Sequence, residues 1–216
     1  MSIFELIISF VAPHECLACG VEGHLLCRCC AAALPVAQLE QKIPGTQQVW
    51  PGVIYEGLAK SVVHALKFER AGAAAKDIAD SIAADLPRQS DWLVTHLPTA
   101  PARVRQRGYD QSRLIARLVA DRIGAPYAPL LARTTAVRQV GATRAQRKQQ
   151  MRTAFRPLRG QSFPQRHILL IDDVLTTGAT IEAAAAVLLA AGAARVSAAV
   201  FAAAPFNTSK NHPTLV

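Results

Sequence analysis

Hydrophobic side chains recur along the chain in two patterns, one typical of helices and one typical of buried strands. Apolar residues spaced by three or four positions predict helices, because such residues share one helical face. Short continuous apolar runs predict strands that are buried on both faces. The helical pattern occurs at Leu58, Val62 and Leu66, at Ile78, Ile82 and Leu86, at Leu114, Leu118 and Ile123, and over residues 180–191. The strand pattern occurs over residues 92–97, 167–171 and 195–201.

The order of these elements predicts an α/β fold with a Rossmann-like, mostly parallel sheet. Buried strands that alternate with helices are joined by right-handed crossovers, which make the strands parallel. We expect this domain over residues 46–205, after a cysteine-containing module at 1–45 and before a flexible tail at 206–216. Residues 3–12 are apolar but interrupted by Glu5, which predicts a docked helix rather than a signal peptide. No apolar run approaches the roughly 18–20 residues that cross a bilayer, so no membrane span is expected.

The net charge of +9 is concentrated in one part of the chain. Residues 103–159 contain 14 Lys and Arg residues against Asp110 and Asp121, an excess of 12 positive charges, so the rest of the chain sums to −3. Such a concentration suits a phosphate-bearing partner, either a polyphosphate ligand or a nucleic-acid backbone. The alternative is a solvated basic surface that binds nothing.

A polar segment follows the predicted strand at 167–171 and leads into the next helix. In open α/β sheets ligands bind beyond the carboxyl ends of strands, where a helix N-terminus offers N–H groups to a phosphate. Gly178 allows a close backbone approach, and the threonine hydroxyls add donors. The carboxylates of Asp172 and Asp173 can accept hydrogen bonds from a vicinal diol. The predicted ribose 5-phosphate site is Asp172, Asp173, Val174, Leu175, Thr176, Thr177, Gly178, Ala179 and Thr180.

A purely structural role for this segment is the alternative. Threonines cap helices and aspartates complement the helix dipole. Two adjacent aspartates at a strand end are a poor choice for capping, however, because they repel each other and lose solvation.

All five cysteines lie within residues 16–30, which disfavours a secreted disulfide scaffold and favours a reducing cytoplasm. The set Cys16, Cys19, Cys27 and Cys30 forms two C-x-x-C pairs, a spacing that supplies four thiolates to structural Zn²⁺. Two disulfides or a redox pair are the alternatives. Cys29 is a second candidate for the place of Cys30 or a free thiol, whereas His14 and His24 are expected to be bystanders. A closed site of four sulfurs predicts a role in folding and docking.

The segment 171–180 resembles the phosphoribosyl pyrophosphate motif of type I phosphoribosyltransferases, in which a hydrophobic residue precedes paired Asp, two further residues and Thr-Thr-Gly. The whole chain resembles the ComF competence family, which joins a four-cysteine module to such a domain. Further matching positions are Tyr55, Glu56, Gly57, Leu66, Lys67, Phe68, Pro98, Arg103, Arg107, Gly108, Tyr109, Gln111 and the run 139–155. The chain departs from the family pattern at Asp110 and Gln150, where many relatives have Asn, and at Thr99 and Ala100, which replace Leu-His.

This resemblance implies a cytoplasmic phosphoribosyltransferase with an unidentified acceptor and a link to DNA uptake. The enzyme would displace pyrophosphate, carried by Mg²⁺, from C1 of the ribose. The resemblance assigns catalytic roles to Asp172, Asp173, Arg103 and Arg107, and a flexible basic loop to Arg138, Arg144 and Arg147. Lys67 is a weaker candidate, since a lysine at a helix end is also explained by the helix dipole.

Two other functions stay open at this point. A non-enzymatic accessory of DNA uptake would bind single-stranded or duplex DNA, together with other DNA-uptake proteins, through residues 103–159. Because only Tyr109, Tyr127 and Phe155 are aromatic there, such binding would depend on the phosphate backbone and on salt. A regulatory protein that senses phosphoribosyl pyrophosphate would keep the pocket without the chemistry.

Overall fold

The computed structural model describes residues 14–39, 41–67, 71–88, 91–134, 154–158, 163 and 165–205. The predicted helix at 3–12, the tail at 206–216 and the loop arginines Arg138, Arg144 and Arg147 lie outside these residues. The helices are α1 (Arg28–Ala32), α2 (Gly57–Lys67), α3 (Ala71–Asp85), α4 (Pro101–Arg107), α5 (Gln111–Ile123) and α6 (Ala179–Ala190). The strands are β1 (Val49–Trp50), β2 (Val53–Ile54), β3 (Trp92–His96), β4 (Leu131–Arg133), β5 (Phe155–Pro157), β6 (His167–Leu175) and β7 (Arg195–Ala203).

The main sheet is parallel, with the strand order β1-β7-β6-β3, and β2 pairs with β7 as well. The central strand β6 pairs with β3 from Trp92↔His167 to His96↔Ile171. On its other side it pairs with β7 from His167↔Arg195 to Leu175↔Ala203. The short strands β4 and β5 form a separate antiparallel pair. The predicted α/β class with a parallel sheet is confirmed.

Helices cover both faces of this sheet. On one face α2, α3 and α5 contribute buried side chains such as Leu66, Ile78 and Ile115. On the other face α6 contributes Ile181 and Leu188. Successive residues of β6 alternate between these two cores, which is why a strand buried on both sides appears in the sequence as an unbroken apolar run.

Some boundaries differ from the predicted ones. The strand predicted at 167–171 continues to Leu175, because β6 keeps pairing with β7 beyond the apolar run. The paired aspartates therefore belong to the last part of a strand and not to a loop. Helix α4 and the short strands β1, β2, β4 and β5 were not predicted, since elements of two to seven residues carry too little periodicity.

None of the helices in the described part of the chain is both long enough and apolar enough to cross a membrane.

Candidate functional site

The two aspartates near the end of β6 are held by the first two residues of α5. Ser112 donates from Oγ to Oδ1 of Asp172 over 2.7 Å. Gln111 donates from Nε2 to Oδ2 of Asp173, while Oδ1 of Asp173 accepts the backbone N–H of Val174 at 2.8 Å. The carboxylates are thus oriented by fixed donors, as a binding site requires and a simple helix cap does not.

The electrostatics of this pair favour a ligand that donates hydrogen bonds. Burial raises the pKa of Asp172 well above its ordinary value, and the neighbouring charge of Asp173 raises it further. Two adjacent carboxylates at a buried strand end are costly to ionise without a partner. The hydroxyl groups of a sugar diol, or a bound cation, would relieve that cost.

Side chains from α2 and α4 extend the site. Arg107 donates from Nη1 to Oε1 of Gln111, so it reaches Asp173 through one intermediate side chain. Lys67 Nζ lies 3.9 Å from Oδ2 of Asp173. Arg103, by contrast, is exposed on α4, and it makes no contact with either aspartate among the residues that the structure describes. Of the two predicted catalytic arginines, the structure brings Arg107 to the site.

Residues 176–178 connect β6 to α6. Gly178 occupies the N-cap of α6 in the left-handed region, with φ at 75°, and is therefore the residue type that this turn requires. The side chains of Thr176 and Thr177 are exposed, and neither caps α6. The structural alternative, in which a threonine caps this helix, is therefore not observed. Without a side-chain cap, the first N–H groups of α6 are available to an anionic ligand.

A cavity of about 270 Å³ adjoins this turn. Leu175, Thr176, Thr177 and Gly178 form one wall, and Ala203 and Ala204 at the end of β7 form another. Residues 41–44, at the end of the cysteine module, also line the cavity, and the side chain of Ile43 lies next to Gly178. The turn is therefore supported by a part of the chain more than 130 residues earlier in the sequence.

A second polar cluster, which was not predicted, lies at the end of β3. Asp110 caps α5 by accepting the N–H of Arg113, and it accepts both the N–H and the hydroxyl of Thr99. Thr99 and Asp110 are two of the positions at which the chain departs from the family pattern, and their side chains bond to each other at 2.8 Å. The two departures therefore form a matched pair that fixes the loop after β3.

His96 belongs to the same cluster. Its Nδ1 is 2.9 Å from the hydroxyl of Tyr127, and its Nε2 is 3.8 Å from Oδ2 of Asp110. Burial lowers the pKa of His96, although Asp110 acts in the opposite direction. We therefore expect a neutral imidazole at physiological pH.

The four predicted cysteine ligands come together. The Sγ atoms of Cys16, Cys19, Cys27 and Cys30 all lie within 4.8 Å of one another, and those of Cys19 and Cys27 are 3.6 Å apart. Sulfurs that bind tetrahedral Zn²⁺ at about 2.3 Å are separated by similar distances, so the residues fit such an ion. Cys29 is exposed and is not part of this group, which favours Cys30 as the fourth ligand.

The cysteine module packs on the main domain through Asp77 of α3. This buried carboxylate accepts the N–H groups of Leu25 and Leu26 at 2.6 and 2.9 Å, and it lies 3.0 Å from Nδ1 of His24. The side chains of Leu25 and Leu26 are buried in the same core as α2, α3 and α5. The core residues Leu25 and Leu26 therefore directly precede Cys27, the first member of the second cysteine pair.

Comparison with known proteins agrees with this geometry. Residues 110–213 match the family model of the phosphoribosyl transferase domain. This part of the chain is therefore similar to a phosphoribosyl transferase domain. The match begins at Asp110 and includes the paired aspartates, the turn into α6 and the start of α5.

Curated relatives extend the similarity over most of the chain. DNA utilization protein YhgH of Salmonella typhi is 29% identical over 199 residues, which are 84% of this chain and 80% of that protein. The protein of the same name from Escherichia coli K12 is 28% identical over 176 residues, 76% of this chain and 75% of that protein. The predicted resemblance to the ComF family is thereby confirmed.

Among solved structures, the allosteric regulatory enzyme of purine biosynthesis superposes with a TM-score of 0.44 at 23% identity. That superposition covers 60% of this chain and 26% of the enzyme chain.

Proposed function

We propose that this phosphoribosyl transferase domain binds phosphoribosyl pyrophosphate with Mg²⁺ and acts as a phosphoribosyltransferase in the use of external DNA. The observation that supports the proposal best is the position of Asp172 and Asp173, oriented by α5, directly before the uncapped N-terminus of α6. Carboxylates that accept hydrogen bonds from a diol and backbone amides that donate hydrogen bonds to a phosphate are the two halves of a ribose 5-phosphate site.

In this proposal the ribose lies across the end of β6. Its 5-phosphate accepts hydrogen bonds from the N–H groups at the start of α6. Its 2- and 3-hydroxyls donate hydrogen bonds to Asp172 and Asp173. The bond from C1 to the pyrophosphate oxygen breaks, a bond from C1 to the acceptor forms, and the acceptor loses a proton. Asp172 and Asp173 would be the available oxygen ligands for Mg²⁺, which would neutralise charge on the leaving pyrophosphate. Arg107 orients Gln111 and adds positive charge nearby.

Calorimetric titration with phosphoribosyl pyrophosphate and Mg²⁺ tests the pocket. The unchanged chain should bind, and the double variant Asp172→Asn with Asp173→Asn should bind at least about 100-fold more weakly, because two charged hydrogen-bond acceptors are lost. The control is Asp121→Asn, which removes one exposed carboxylate of α5 and should leave binding unchanged. Equal binding by the double variant, or no binding by the unchanged chain, would refute the proposal.

Turnover is tested separately from binding. Release of pyrophosphate from phosphoribosyl pyrophosphate should require an acceptor, sought among nucleobases and other nitrogen nucleophiles, and should disappear in the same double variant. Binding without release across the acceptor set would favour a sensor of phosphoribosyl pyrophosphate over an enzyme.

A DNA-binding accessory is the second candidate. Arg103, Arg105, Arg113 and Arg117 are exposed on α4 and α5, and the curated relatives are named DNA utilization proteins. Phosphate contacts by these arginines would make affinity for single-stranded DNA fall steeply with salt. Affinity that stays flat between low and moderate salt would exclude this mode, and so would unchanged binding by the variant Arg113→Ala with Arg117→Ala.

We assign Zn²⁺ to the group Cys16, Cys19, Cys27 and Cys30, with a structural role, and a cytoplasmic location in which these thiols stay reduced. Metal analysis should find one zinc per chain, lost in Cys16→Ser and retained in Cys29→Ser. Retention in both variants would contradict the assignment.

A further inference from the structure

Lys42, near the end of the cysteine module, lines the cavity beside the turn at residues 176–178. It is the only basic side chain among the described residues that line this cavity, and Glu182 is the only acidic one. Lys42 is exposed, and no ion-pair partner for it exists among the residues that the structure describes. Its ammonium group is therefore available to a ligand in the cavity.

The backbone that follows Lys42 forms a tight turn over residues 43–46. Both the N–H and the hydroxyl of Thr46 donate to the carbonyl oxygen of Ile43, at 3.2 and 2.7 Å. Pro44 and Gly45 occupy the two central positions, and the φ of 79° at Gly45 is the left-handed value that glycine supplies in a type II turn. Ile43 and Thr46 are both buried. This end of the cysteine module is thus fixed by its own turn.

The turn at residues 43–46 packs on α6, beside the turn at residues 176–178. A Cβ at Gly45 would lie 3.3 Å from Cβ of Ala185, and a Cβ at Gly178 would lie 3.0 Å from Cδ1 of Ile43. Ile43 and Ala185 belong to the same buried core. Because these contacts are close-packed, the two turns hold a fixed position relative to each other. Lys42, one residue before Ile43, therefore stays at the edge of the cavity.

The charges around the cavity favour a cation at this position when a phosphate is bound. Glu182 lies in the first turn of α6, where an acidic side chain interacts favourably with the helix dipole. The same carboxylate would repel a phosphate monoester, which carries about −1.5 to −2 charges at neutral pH. Positive charge from Lys42 would offset this repulsion across a cavity of about 270 Å³.

We propose that Lys42 binds the 5-phosphate of the ribose ligand, so that the cysteine module contributes a side chain to the ligand site. The inference rests on the proposed function, since it assumes that the 5-phosphate lies at the start of α6. Lys42 lies far outside the segment 171–180, in which the phosphate site is recognised from the sequence. The cysteine module then has a part in ligand specificity besides its part in folding.

The test uses two ligands that share the 5-phosphate. Calorimetry measures the affinity of the full, metal-containing chain for phosphoribosyl pyrophosphate with Mg²⁺, and competition against it measures the affinity for ribose 5-phosphate. We expect Lys42→Met to bind both ligands about 5-fold more weakly, a modest loss because solvent screens an exposed charge. Lys42→Arg should recover most of this loss. Lys60→Met, at an exposed position of α2 on the other face of the sheet, is the matched control.

The same change in a Glu182→Gln background separates a direct contact from simple charge neutralisation. If Lys42 binds the phosphate, Lys42→Met should still cost about 5-fold there. If Lys42 only offsets Glu182, the double variant should bind as well as Glu182→Gln alone, and the inference would be overturned. Circular dichroism checks that each variant is folded, and Lys42→Gln replaces Lys42→Met if that variant is not.

The remaining outcomes distinguish failure of the inference from failure of the proposed function. Unchanged affinity of Lys42→Met for both ligands would overturn the inference. A loss confined to phosphoribosyl pyrophosphate would overturn it as well, because Lys42 would then act on the diphosphate. No binding of phosphoribosyl pyrophosphate by the unchanged chain, or no competition by ribose 5-phosphate, would instead refute the proposed function.

Discussion

At the scale of single residues, Asp172 occupies a buried position that is unfavourable for a charged carboxylate, and it has a proposed role in binding. Its pKa is raised by burial and by Asp173, so the folded state binds a proton more tightly than the unfolded state does. Above the ordinary pKa of an aspartate, this difference lowers the free energy of unfolding. The cost is greatest when the carboxyl is ionised, and it fades as the pH falls through the raised pKa towards the ordinary value.

We therefore expect Asp172→Asn to stabilise the fold while it weakens ligand binding. At pH 8 the gain should be about 1 kcal/mol, or roughly 2–4 °C in Tm for a chain of this size. At pH 5 the gain should be smaller, because the cost of burying the charge falls as the pH approaches the ordinary pKa of an aspartate. Thermal unfolding at both pH values measures this, with Asp121→Asn as control. A lower Tm at pH 8, or a gain independent of pH, would contradict the explanation.

Gly178 offers a second prediction at this scale. Its φ is 75°, and a Cβ there would lie 3.0 Å from Cδ1 of Ile43. Gly178→Ala should cost about 1–3 kcal/mol in unfolding free energy from backbone strain, and the shifted turn should weaken binding of ribose 5-phosphate.

Ile43→Val separates the two causes, since it removes the clashing methyl group and leaves the φ unchanged. Alone it should cost about 1 kcal/mol. In the Gly178→Ala background it should cost less, a non-additivity that denaturant unfolding of the four chains would reveal. Strict additivity would mean that Ile43 plays no part.

At the scale of elements, the sequence predicted the helices and strands that have long apolar patterns. It did not predict features that depend on pairing between residues far apart in the chain. The apolar run at 167–171 predicted β6, but its extension to Leu175 depends on β7. The acidic pair and Gly178 were predicted because adjacent residues suffice to recognise them. Ser112 was not predicted as a site residue, because its hydrogen bond to Asp172 joins positions 60 residues apart. Gln111 and Lys67 were noted from the family pattern, without their contacts.

The interruption between β1 and β2 makes a further prediction. Both strands pair with β7, and Gly52 between them has φ at 62°. A Cβ at Gly52 would lie 2.0 Å from the carbonyl oxygen of Phe201, which is backbone of β7 and cannot move aside. Gly52→Ala should therefore lower the free energy of unfolding by about 3 kcal/mol or more.

The matched control for that variant is Gly72→Ala. Gly72 lies in α3 with open space where a Cβ would be, so alanine there should stabilise by up to about 1 kcal/mol. Chemical denaturation of both variants measures the two changes in the free energy of unfolding. Similar effects of the two substitutions would mean that contact between a Cβ at position 52 and the backbone of β7 does not determine stability.

At the scale of the whole molecule, the cysteine module and the main α/β domain share a core. Leu25 and Leu26, next to the proposed metal ligand Cys27, are buried with Val62, Leu66 and Ile78. Contacts cross the boundary expected near residue 45, because Asp77 accepts the N–H groups of Leu25 and Leu26. Metal binding and folding of the main domain should be thermodynamically linked.

Asp77→Asn tests that linkage. The amide keeps one acceptor but loses the charge that receives two backbone N–H groups, so the metal-loaded chain should lose about 2–3 kcal/mol of unfolding free energy. Asp80→Asn, one turn away in α3, disrupts only a partly exposed ion pair with Arg122 and should cost less than about 1 kcal/mol. Chelation of the metal should also destabilise the unchanged chain.

The decisive measurement is the combination of the two perturbations. If Asp77 transmits the stability of the metal-bound module to α3, chelation should cost much less in Asp77→Asn than in the unchanged chain, because the connection is already broken. In Asp80→Asn chelation should keep its full cost. Equal costs of chelation in all three chains would mean that Asp77 does not couple the metal site to α3, and that any linkage runs through the shared core around Leu25 and Leu26.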